Sequence, residues 1–222
     1  MKIFAIGAHP DDVEIGCGGL LSIDWLSKHI LHLSNGETSK YADGETRKEE
    51  AEAAARVLNA QVQFFDIPGR QIDDDDSACL RLVALIREIR PDYLVSHWEL
   101  DGHPDHQAAH QLVRKAFFLS GASVDVDAPP WRCRNLLYFH PFNSGYGFIP
   151  DFVLDITAVY PSKLKAIRCH RSQTSFIVPQ VEAVSRYFGQ NSGVARAEPF
   201  KAEMPLVIGS RGLLDLEGGG DG

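Results

Sequence analysis

Two short segments concentrate the residue types that do metal chemistry. One is Ala8-His9-Pro10-Asp11-Asp12; the other runs from His97 to His106 and ends in His103-Pro104-Asp105-His106. Imidazole and carboxylate are ligands that zinc accepts, and two histidines with one carboxylate leave a coordination position open for water. Zinc lowers the pKa of bound water to about 7 and polarises a carbonyl oxygen, which together suit hydrolysis. The attacking water also needs a proton acceptor, and of two adjacent aspartates one can ligate while the other takes the proton. Spacing alone does not say which does which. His-Pro-Asp is also a turn sequence whose aspartate caps a helix, so a single copy carries little weight. Two copies at corresponding places carry more.

Those places are the ends of strands. Residues 2–7 read as a short buried strand running into the first segment, and residues 92–96 as another running into the second. Between them lie helical apolar spacing over 15–28, a strand at 30–33, and a polar loop at 34–44 with Asn-Gly and Asp-Gly turn signals that can host a substrate. An amphipathic helix then begins at Glu45, a strand follows at 62–67, and the next helix stops before Pro91. Helical spacing returns after Pro104. Regular alternation of strand and helix predicts an α/β protein with a mostly parallel sheet and helices on its faces. Such sheets bind ligands at the carboxyl ends of their strands, where the strand order reverses. Strand 2–7 beside strand 92–96 therefore brings the two segments together. Further on, 136–140 and 152–156 read as strands, 162–170 and 181–188 as helices, and 216–222 as a loose tail.

The chain has 222 residues, a length that α/β proteins often organise as one domain, here residues 1–222. Its net charge of -8 repels phosphate backbones and anionic headgroups, which argues against nucleic-acid and membrane partners. No apolar stretch approaches a bilayer-spanning length and the first residues lack a signal-peptide pattern, so the default location is cytoplasmic. Cys17, Cys79, Cys133 and Cys169 form no Cys-x-x-Cys pair and read as reduced thiols.

The run Ala-His-Pro-Asp-Asp-Val-Glu-Ile-Gly-Cys-Gly-Gly from Ala8, with the later His-Pro-Asp-His, resembles the LmbE/PIG-L family of zinc-dependent N-acetylglucosaminyl deacetylases. The likeness extends through Asn35-Gly36-Glu37, the helix around Arg47 and Ser172-Gln173. It implies a Rossmann-like sheet with Zn2+ held by His9, Asp12 and His106, and Asp11 as the general base. His103 is then the oxyanion's partner or the amine's proton donor, Asp105 orients His103, and Arg47 contacts substrate. The implied reaction removes the acetyl group from an N-acetylglucosamine-type sugar or glycoconjugate. The malate conjugate of bacillithiol biosynthesis is an alternative substrate, and homo-oligomers occur in the family. From another class, the same ligand set describes a non-haem Fe2+ oxygenase or a non-catalytic metal-binding module. Asp11 and the complete set of family catalytic residues argue for hydrolysis.

The remaining candidates read as structural. His97 is expected to pack or support the site, His110 to be solvated or to support it, His140 and His170 to be satisfied singly, and Glu14 to meet a helix N-terminus. Gly16, Gly18 and Gly19 fit close helix-to-sheet packing better than a phosphate loop. Asp73 to Asp76 fit a solvated turn before a helix.

Overall fold

The computed structural model describes residues 1–142 and 146–206, the side chain of Phe176 excepted. The predicted tail at 216–222 lies outside the described residues. Seven strands, β1 (Lys2–Gly7), β2 (Ser27–His32), β3 (Gln61–Phe64), β4 (Tyr93–Ser96), β5 (Asn135–Phe139), β6 (Phe152–Asp155) and β7 (Ala197–Ala202), form one sheet. Their order is β3-β2-β1-β4-β5-β7-β6. The five strands from β3 to β5 run parallel, and β7 joins β5 and β6 antiparallel.

Alternate side chains of β1 feed opposite faces, as the two-residue period of a strand requires. Phe4 and Ile6 pack with α3 (Asp76–Ile89) and α4 (Pro104–Ser120). Ile3 and Ala5 pack with α1 (Asp12–Leu21), α2 (Gly44–Leu58) and α5 (Tyr160–Ile167). A third apolar cluster ties Ile156 and Ile167 to Ile177 and Val181 of α6 (Thr174–Asn191). The helices thus cover both faces of a mostly parallel sheet, as the alternation predicted. The β1–β4 pairing puts the loops after Gly7 and Ser96 side by side.

Two expectations need correction. The helix read over 15–28 is α1, which begins at Asp12 and ends at Leu21, and β2 begins at Ser27 rather than Ile30. The apolar spacing continued to Trp25, but that residue is 68% exposed in a turn. Parallel pairing of Lys2 with Ser27 recruits the polar residues Ser27 to His29 into the ladder. Strand β7, not among the expected strands, contains Pro199. The last β5 partner pair is Phe139–Phe200, so Pro199 lies beyond that ladder and its missing N–H costs no bond to β5.

Helix α1 owes its closeness to the sheet to glycine. A Cβ on Gly16 would stand 2.4 Å from the Phe139 ring, and one on Gly19 would stand 2.6 Å from Ile156. The helix is kinked at Cys17 (φ -139°). Just beyond the kink, the buried Glu198 carboxylate accepts from the N–H groups of Gly19 (2.6 Å) and Leu20 (2.8 Å). Lys163 donates to Glu198 at 2.5 Å and to the Ile15 carbonyl at 2.7 Å, with both charged side chains almost fully buried. Removing one member of such a pair strands the other charge. Lys163→Met is therefore expected to lower unfolding free energy by about 3–5 kcal/mol, measurable by urea titration. A loss below about 1 kcal/mol would mean that water screens the pair as it does at a surface.

The four cysteines are free, as expected. Asp75 accepts from Ala78 N–H and caps α3, which accounts for the acidic run.

Candidate metal centre

The loop after β1 is held through its backbone polar groups by neighbouring side chains. Ser34 Oγ donates to the Ala8 carbonyl at 3.0 Å, the His32 ring meets the His9 carbonyl at 3.0 Å, and His9 N–H donates to Asp12 Oδ2 at 2.7 Å. Asp11 takes φ 105°, outside the range that non-glycine residues favour, and its side chain does not cap α1. Such backbone outliers cost about 1–3 kcal/mol and cluster at functional sites. The side chain turns instead to Arg47, whose guanidinium donates to Asp11 Oδ2 at 3.0 Å.

Arg47 of helix α2 is buried and bonded to the Pro10 and Gly36 carbonyls as well as to Asp11. Gly36 (φ 66°) permits this, because a Cβ there would sit 2.3 Å from Arg47 Nη1.

The loop after β4 supplies the other half. His103 precedes α4, and its Nδ1 accepts from Asp105 N–H at 3.1 Å. This leaves Nε2 as the donor of a neutral ring. Burial, then the neighbouring His106 and His9, hold its pKa below the ordinary value. His106 Nε2 lies 3.2 Å from Asp12 Oδ1 and His9 Nδ1 lies 3.4 Å from Asp12 Oδ2.

One donor atom each from His9, Asp12 and His106 fall within 4.8 Å of one another, all three residues buried. Two imidazoles and a carboxylate are a donor set that suits zinc or iron(II). The local field also selects positive charge. Burial works against the His9 imidazolium, but Asp105 and Asp12 outweigh it and raise the pKa to about 9. For His106 burial is likewise outweighed, by Asp12 and Asp101, and the pKa rises to about 10. These residues fit a divalent cation.

His9, Asp11, Asp12, Arg47, His103 and His106 line one cavity of about 350 Å³. Asp105 stands differently from its expected place. Its carboxylate meets His9 Nε2 at 2.9 Å and accepts from Arg70 N–H at 3.1 Å, while only its backbone N–H engages His103. Asp11 is pushed up to about 6 by burial, with Arg47 opposing and Asp12 adding to the rise. A carboxylate of raised pKa is a stronger proton acceptor near neutrality.

One residue at the site was not singled out in the sequence, and another plays the supporting role expected of it. Asp101 contacts His106 Nδ1 at 3.0 Å, the carboxylate that commonly orients a metal-binding histidine. Its position shortly before the His-Pro-Asp-His motif was the available signal. His97 stacks on the His106 ring at 4.1 Å, and its Nε2 accepts from Ala8 N–H at 2.9 Å, tying the two loops together. Burial, then His106, lowers its pKa to about 4, so it stays neutral. His110 Nδ1 in turn meets the His97 carbonyl at 3.0 Å. Beneath Asp11, the fully buried Glu14 and His170 approach to 3.3 Å.

Fold and site define an α/β enzyme with a histidine–aspartate centre at the strand-order reversal. Residues 4–117 match the family described as PIG-L, GlcNAc-PI de-N-acetylase, and the chain belongs to that family. It is 31% identical to 4-oxalmesaconate hydratase of Pseudomonas putida over 76% of this chain and 72% of that one. It is 26% identical to diacetylchitobiose deacetylase of Thermococcus kodakarensis over 89% and 81% of the two chains. Among solved structures, a conserved protein of Thermus thermophilus superposes with TM-score 0.86 at 31% identity, covering 93% of this chain and 96% of that one. No helix among the described residues is long and apolar enough to cross a membrane.

Proposed function

We propose that this protein hydrolyses the acetamide of an N-acetylglucosamine-type sugar or glycoconjugate, with a divalent metal ion held by His9, Asp12 and His106. The observation that carries this reading is the clustering of that ligand set with a carboxylate locked by Arg47 and a neutral histidine donor, in one cavity. A bound zinc ion would supply a water of lowered pKa and polarise the amide carbonyl. Asp11 accepts the proton of the attacking water and passes it to the departing amine. His103 Nε2–H donates to the amide oxygen as that oxygen gains negative charge, and Asp105 positions both His9 and His103. The deacetylase relative supports the choice of substrate class.

The test is acetate release from diacetylchitobiose and from N-acetylglucosaminyl malate. Activity should fall by at least 100-fold after chelation and return with zinc or iron(II). Activity that survives complete metal removal would overturn the reading.

A second reading, addition of water to a small unsaturated acid, is favoured by the 31% identity to a hydratase. Hydration of 4-oxalmesaconate without acetate release from either sugar would select it.

A further inference from the structure

The cavity carries positive charge that the proposed chemistry does not use. Three cationic residues line it, Lys40, Arg47 and Arg70. Arg47 is committed to Asp11 and two carbonyls. Lys40 and Arg70 are different: both are exposed, and among the described residues no carboxylate pairs with either. Lys40 Nζ rests 4.9 Å from the Tyr41 ring centroid, a contact that leaves its charge uncancelled. The carboxylates facing the cavity, Asp11 and Asp12, are in turn engaged by Arg47 and by the histidines.

The Arg70 backbone is anchored while its side chain is not. Its N–H donates to Asp105 Oδ2 at 3.1 Å, and the preceding Gly69 N–H donates to Glu37 Oε1 at 2.5 Å. The guanidinium thus projects from a main chain tied directly to the His9–Asp105 pair. On a chain of net charge -8, two unspent cations on the wall of the reaction cavity are a local reversal of sign. A cleft of that kind concentrates anions that the rest of the surface repels.

We propose that Arg70 and Lys40 form an anion subsite, so that the preferred substrate is an acetamido sugar carrying a carboxylate or phosphate group beyond the sugar ring. The proposal rests on the deacetylase reading and adds the charge of the substrate to it. A guanidinium binds carboxylate or phosphate through paired N–H donors, and an ammonium adds a point charge. Neutral disaccharides make neither contact.

Steady-state amine release from N-acetylglucosaminyl malate, N-acetylglucosamine 1-phosphate and neutral diacetylchitobiose tests this, with calorimetric titration of the same three compounds into the metal-loaded protein. An anionic compound is expected to exceed the neutral one by about tenfold or more in kcat/KM, chiefly through KM, with the advantage shrinking as salt rises. The malate and phosphate arms distinguish the two anions. Arg70→Gln and Lys40→Gln should each pull the anionic-to-neutral ratio toward one. Equal kcat/KM for all three substrates, or a ratio unmoved by both variants, overturns the subsite. If no compound releases amine, the deacetylase reading fails. The calorimetric preference for anionic over neutral compounds, and its loss in Arg70→Gln, then decides the subsite independently.

Discussion

Replacing Asp11 by Asn is expected to lower kcat by about 10²- to 10⁴-fold, the usual worth of a positioned general base, while metal content stays at that of the unmodified protein. Asn is the informative choice because it keeps the size of the side chain and, like Asp, tolerates the positive φ of 105°. It also keeps an oxygen that can accept from Arg47, whose guanidinium stands 3.0 Å from Asp11 Oδ2. What it loses is the ability to take a proton. Metal analysis and circular dichroism, run beside the kinetics, separate this loss from misfolding. Retention of more than about a tenth of the wild-type kcat would remove Asp11 from the role of base. Loss of metal would instead assign it to the ligand set.

His106→Ala should have the opposite signature, with metal content and activity disappearing together. The His106 ring stands between two carboxylates, 3.2 Å from Asp12 Oδ1 and 3.0 Å from Asp101 Oδ2. Its removal takes away a proposed ligand and leaves both acids facing the gap. A graded comparison sharpens the test: Asp101→Asn keeps every proposed ligand and should weaken metal affinity by about 10- to 100-fold, the usual effect of losing a partner that orients a ligating histidine. Competition with a chromogenic chelator measures both variants. An Asp101→Asn protein with unchanged affinity would reduce that contact to packing, and a His106→Ala protein with full metal content would exclude His106 as a ligand.

Much of the architecture was legible before any coordinates. Strands at 2–7 and 92–96 could be read because each is a compact apolar run ending in the charged segment it delivers. Their adjacency followed from the strand-order reversal of open parallel sheets. The packing role of the glycines was legible too, since Gly16 and Gly19 lie where no Cβ fits. Elements set by long-range pairing were harder to read. The true start of β2 depends on Lys2 pairing with Ser27, and β7 accepts a proline because β5 ends one residue earlier.

By itself the sequence named the candidates for binding metal and accepting a proton, because ligand chemistry belongs to side-chain type, and the family resemblance divided the roles among them. Tertiary structure alone decided what each of them touches. Arg47 lines the cavity where it was expected to meet substrate, and its guanidinium also reaches Asp11 across the space between two loops, 36 residues apart in sequence. Asp105 was expected to orient His103, which it meets through its backbone N–H, while its carboxylate lies on His9, 96 residues away. A side chain's partner is chosen by whichever opposite charge or hydrogen-bond donor the fold brings within about 3 Å. No local pattern around Arg47 or Asp105 encodes that meeting.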